Sequence, residues 1–99
     1  MNIEDKLRLI LIEYLNSGEL RIENARHYQK VILDKEVIAI YFFFTREIFL
    51  TKYFSLYFML PPESGDKLVK VFFEEVIYPG LDFPHDSKTY KFAGLYNPN

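Results

Sequence analysis

The sequence predicts an α+β fold: an antiparallel sheet around a long aromatic hairpin, with an N-terminal helix and a second helix covering one face. Three observations predict it. Apolar residues recur at helical spacing near both residues 3–16 and residues 65–78, while between these segments apolar and polar residues alternate with the period of a strand. Nine of the eighteen Phe and Tyr residues fall between Tyr41 and Phe58, which is strand-favouring chemistry concentrated in one place. With 99 residues, 49% of them apolar, the chain is expected to form a single domain with one packed core.

The first helix is expected from Ile3 to Asn16. Ile3, Leu7, Ile10, Leu11, Tyr14 and Leu15 form its apolar stripe, Asn2 caps its free amides, and Gly18 supplies a left-handed stop. Leu9 and Ile12 fall on the opposite face, among Asp5, Arg8 and Glu13, so this helix needs cover on a second side. Leu20 and Ile22 alternate with Arg21 and Glu23 as a strand. Lys30 to Leu33 and Val37 to Phe44 read as two strands joined at Asp34-Lys35. Alternation resumes after Thr45-Arg46-Glu47 and predicts a strand from Ile48 to Leu60, with Phe49, Tyr53 and Tyr57 on one face; a helix over the same residues is the alternative. Pro61-Pro62 ends that element, and Ser64 opens a helix from Gly65 to Tyr78, stopped by Pro79-Gly80. A last strand, Lys88 to Tyr96, places Tyr90, Phe92 and Tyr96 on one side.

Several chemistries are excluded by composition. With no cysteine there is no disulfide, thiolate nucleophile or cysteine-ligated zinc. A net charge of −2 gives no molecule-wide field that gathers polyanions. Met1 leads directly into Asn2, Glu4, Asp5 and Lys6, so the mature chain is expected to begin there. Arg46, Glu47 and Lys52 interrupt the greasiest stretch, Val37 to Leu60, and argue against a membrane span. Four glycines assemble no nucleotide fingerprint, and Ser64-Gly65-Asp66-Lys67 lacks the leading glycine and the following Ser or Thr of a phosphate loop. Asp82 and Asp86 flank the His85 imidazole, a pattern that can hold a metal or share a proton but is more commonly that of a surface turn. Glu75 falls by helical phase beside Val71 and Phe72, where a carboxylate meets a basic partner more often than it performs catalysis. No catalytic set, metal site or cofactor is expected.

Two surfaces remain. The aromatic excess predicts a self-associating or partner-binding surface, drawn from Leu9, Ile12, Phe49, Tyr53, Tyr57, Tyr90 and Phe92, with a homodimer as its simplest use. The alternative is nucleic-acid binding through the basic stretch from Arg21 to Lys35, where Arg21, Arg26 and Lys30 could meet phosphates and Tyr28 could stack on a base. Glu19, Glu23 and Asp34 dilute that stretch.

Residue usage is skewed: three Ala and one Gln stand against nine Ile, eight Lys, eight Tyr and ten Phe, in runs such as Ile10-Leu11-Ile12-Glu13-Tyr14-Leu15. In length and texture the chain resembles the small orphan proteins of crenarchaeal filamentous and rod-shaped viruses, the lipothrixvirus and rudivirus type. The resemblance implies a thermophilic host and a function that is typically unassigned; the expected role is a non-enzymatic viral accessory or interaction protein with a viral or host protein as partner, in the host cytoplasm or the virion. The resemblance also implies a heat- and acid-tolerant fold.

Overall fold

The computed structural model describes residues 2–59, 65–82 and 89–96. Helix α1 (Ile3–Ser17) starts at Asn2, whose side chain accepts a 2.8 Å hydrogen bond from the Asp5 amide, and ends at Gly18 in the left-handed conformation. A cap of this kind contributes about 1 kcal/mol. Leu7 and Leu11, one turn apart, are the residues it buries in full.

Strands β1 (Leu20–Asn24), β2 (Tyr28–Leu33), β3 (Glu36–Phe42) and β4 (Glu47–Leu50) form an antiparallel meander. The β2–β3 turn falls at Asp34-Lys35 as expected, with Asp34 at positive φ, a conformation that Asp tolerates better than most residues. Strand β5 (Lys91–Leu95) completes the order β1-β2-β3-β4-β5 and runs parallel to β4. Parallel neighbours need a long crossover, and the helices between β4 and β5 provide it.

One part of the expected hairpin is corrected. Its second arm ends at Leu50, and Lys52–Phe58 form helix α2. Thr51 makes the switch: its hydroxyl accepts from the Tyr53 amide at 3.2 Å as the helix cap and donates to the Val37 carbonyl at 2.6 Å. Phe54 and Phe58, four residues apart, then stack at 4.8 Å and are buried, whereas Leu56, which strand alternation would place beside them, is 67% exposed. The alternation was real, but a pair at i and i+4 satisfies both periods.

Helix α3 (Gly65–Phe72) continues into one π-helical turn, Phe73–Ile77, closed by the Tyr78 amide donating to the Phe73 carbonyl at 2.9 Å. The Ile77 carbonyl, at the end of this turn, accepts from Gln29 Nε2 at 3.2 Å and from the Gly80 amide at 3.1 Å. Gln29 is fully buried on β2 and also donates to Asn24 Oδ1 at 3.2 Å, while Asn24 donates to the Gly80 carbonyl at 2.9 Å. This polar clamp ties the β1–β2 hairpin to the end of the helix. Gly80 leaves room for this clamp: a Cβ there would press on the tip of the Ile22 side chain and stand 3.0 Å from the Val76 carbonyl oxygen.

The helices gather on one face of the sheet. Leu7, Leu11, Phe54, Phe58, Leu68, Phe72 and Phe73 meet Val31, Leu33, Ala39, Tyr41 and Ile48 in a single core, with the Tyr41 and Phe73 rings edge to face at 5.7 Å. A bulge shifts the β2–β3 register between Val31 and Ile32, so that consecutive residues Ile38 and Ala39 are both buried in this core. The opposite face carries no helix among the described residues.

A candidate binding groove on the open sheet face

Alternation and register place Tyr28, Lys30 and Ile32 of β2 on the open face, beside Val37, Ile40 and Phe42 of β3 and Phe49 of β4. Four rings form a connected cluster there. Phe42 and Phe49 are edge to face at 5.7 Å, Tyr96 lies 5.8 Å from Phe49 and 6.4 Å from Phe42, and Tyr28 lies 6.1 Å from Phe42. Each of these rings keeps part of its surface in solvent.

Around the cluster runs a groove of about 930 Å³. Tyr28, Phe42, Tyr53 and Tyr96 give it aromatic walls, Ile40 and Val37 give it an apolar floor, and Lys30, Lys35 and Lys52 stand against one carboxylate, Glu36. Lys30 Nζ lies 5.6 Å from the Tyr28 ring centre and Lys52 Nζ 5.2 Å from that of Tyr53, so two ammonium groups are held at ring faces. In a chain of net charge −2, this groove is locally cationic. Arg21 sits on the same face, opposite Ile32 in register; Arg26 is exposed in the β1–β2 turn. At that end the Phe43 amide donates to the His27 carbonyl at 3.0 Å, joining the two turns, and Phe44 is 96% exposed beside them.

The residues expected to share one aromatic face are dispersed. Phe49 belongs to the open-face cluster, Tyr53 stands at the groove rim on α2, and Tyr57 lines a separate recess of about 380 Å³ with Tyr14, Glu19, Leu33 and Asp34. Partial desolvation, then the charges of Asp34 and Glu36, raise the Tyr57 phenol above its ordinary value. Tyr90 and Phe92 lie half-buried against the helix-side core, with Tyr90 4.7 Å from Phe73. Tyr96 leaves their side because the β4–β5 register shifts between Ile48 and Phe49, and Gly94 turns the chain at φ 99°. Leu9 and Ile12 are 55% and 40% exposed on the outer face of α1.

Glu75 meets Arg8, whose Nε donates to Oε1 at 2.8 Å; that hydrogen bond raises the guanidinium pKa further. Asp82 is exposed, while His85 and Asp86 lie outside the described residues, as does Ser64. Among the described residues, no three His, Asp or Glu side chains converge to hold a metal, and no helix is long and apolar enough to cross a membrane.

Sequence reading missed Phe42, Lys52 and Tyr96 as groove residues. The first stands opposite Tyr28 only because of the β2–β3 bulge; the other two depended on α2 and on the β5 irregularity. Comparison with protein-family models, with curated proteins and with solved structures finds no match.

Proposed function

We propose that the protein is a non-enzymatic binding module, an accessory protein whose working surface is the uncovered face of the sheet. The observation that carries this reading is the four-ring cluster of Tyr28, Phe42, Phe49 and Tyr96, left without a covering layer and edged by lysines. These rings stay partly exposed in the free protein, and a ligand laid over them would bury the remainder at roughly 25 cal/mol per Å². Self-association is assigned to a different surface, the exposed Leu9 and Ile12 of α1, which suits a second copy related by a two-fold axis.

Anilinonaphthalene sulfonate, an aromatic anion, tests the groove without knowledge of its natural ligand. The native protein should bind the dye saturably and gain thermal stability from it. Tyr28→Ser with Tyr96→Ser should abolish that binding while keeping the fold. A native protein that leaves the dye dark would refute the reading, as would a double variant destabilised as much as Phe72→Ala.

A further inference from the structure

We infer that the ligand of the open-face groove is a single-stranded nucleic acid, an inference that rests on the binding-module reading above. Three features of the groove select this class. Its cations are few and placed beside rings: Lys30 at Tyr28 and Lys52 at Tyr53, with Lys35 at the same end of the sheet as Lys52. Alternating rings and ammonium groups match a strand that offers a base and a phosphate in every repeat. An acidic protein surface offers carboxylates and rings but no such regular repeat of one flat π-surface to each charge.

The rings also discriminate against a duplex. Stacking on Tyr28, Phe42 or Tyr96 requires unpaired bases, and paired bases expose only their edges in the grooves. Three lysines against one glutamate, in a chain of net charge −2, form too weak a field to hold a duplex by its phosphates alone.

The path has a direction. From Lys35 and Lys52 the open face runs along β2 to the turns carrying Arg26 and the exposed Phe44, about 25 Å for seven or eight residues at roughly 3.3 Å each. The strand enters over the lysines, crosses the rings and leaves at that basic, aromatic end. Glu36 is the groove's one opposing charge, so its removal should strengthen binding.

The test is fluorescence anisotropy of labelled oligothymidylate and oligouridylate of roughly ten nucleotides, within the usual range for single-strand platforms. Saturable binding is expected, with the logarithm of affinity falling against the logarithm of salt concentration at a slope of about −2, as three phosphate contacts on a single strand require. Tyr96→Ala should weaken binding roughly tenfold. The exposed reversals Lys35→Glu and Lys52→Glu, which leave the core untouched, should reduce both affinity and slope, and Glu36→Gln should tighten binding. Absence of binding at roughly 100 µM protein, the weak end of non-specific affinities, would overturn the inference. So would equal affinity for a duplex of the same length, or equal competition by polyglutamate. If the sulfonate dye binds while the oligonucleotides do not, the groove reading survives and this ligand class fails; if neither binds, both fail.

Discussion

Gln29 offers a demanding test of how the sheet is held to its helices. Its side chain is fully buried, and Nε2 supplies both the Asn24 and the Ile77 hydrogen bonds. Gln29→Ala removes two bonds at roughly 0.5–1.5 kcal/mol each and opens a cavity, leaving the Ile77 carbonyl with the Gly80 amide as its donor, for a total of about 3 kcal/mol. At roughly 4–8 °C per kcal/mol, the melting temperature should drop by about 12–24 °C. Gln29→Met loses the same bonds but keeps the volume. It also removes Oε1, a buried acceptor with no donor among the described residues, which offsets much of the loss, so its cost should be about 1 kcal/mol or less. Urea unfolding of the three proteins, read as midpoint shifts at constant slope, separates these outcomes. If the methionine variant were as damaged as the alanine variant, packing at this position would contribute nothing, and if the alanine variant lost less than about 1 kcal/mol, the clamp would be incidental.

Thr51→Val should cost about 1–2 kcal/mol, since it loses both the α2 cap and the bond to the Val37 carbonyl, while Thr51→Ser should keep most of the stability; urea midpoints decide. Stability should respond asymmetrically to pH. The ion pairs of Arg8 with Asp5 and Glu75 are partly exposed, so circular dichroism should show secondary structure retained near pH 3, about a unit below ordinary carboxylate values. Burial raises the phenols of Tyr41 and Tyr90 above the ordinary 10.0, so above pH 10 the unfolded state loses protons that the native state keeps. Stability is then full below about pH 10 and falls as pH rises through the native values; Tyr41→Phe should flatten that alkaline limb in melting-temperature scans. Sedimentation should show a dimer that Leu9→Lys with Ile12→Lys converts to monomer, and a wild-type species of 11.9 kDa alone would remove self-association.

Much of the fold was legible where one period dominated. Asn2, the Leu7 and Leu11 stripe and Gly18 defined α1, and Asp34-Lys35 defined the β2–β3 turn, because caps and tight turns are local decisions. Within Ile48 to Leu60 the strand holds only to Leu50, and Lys52–Phe58 depart from it because Phe54 and Phe58 satisfy strand and helix periods alike; the choice is made by Thr51 through its contact with Val37, fourteen residues away. The basic aromatic stretch contained three groove residues, Tyr28, Lys30 and Lys35, but the groove itself was not legible. Its other walls arrive from Tyr53 and Tyr96, whose positions depend on α2 and on the Gly94 kink.

The β-bulge at Ile38 bears on the order in which the molecule assembles. The Asp34-Lys35 turn, with Leu33 opposite Glu36 and Ile32 opposite Val37, is equally compatible with an unshifted ladder that would set Gln29 against Ile40 and Tyr28 against Tyr41. In that ladder Tyr41 would emerge on the ring-bearing face and Ile40 would turn inward, since a one-residue slip exchanges the faces of a strand. What distinguishes the two ladders lies later in the chain: Phe73, which receives the Tyr41 ring at 5.7 Å, and Thr51, whose amide and hydroxyl take up the Ile38 and Val37 carbonyls around the extra residue. The hairpin can therefore zip early yet remain uncommitted, and which of its faces becomes the outside of the protein is decided only when α2 and α3 dock.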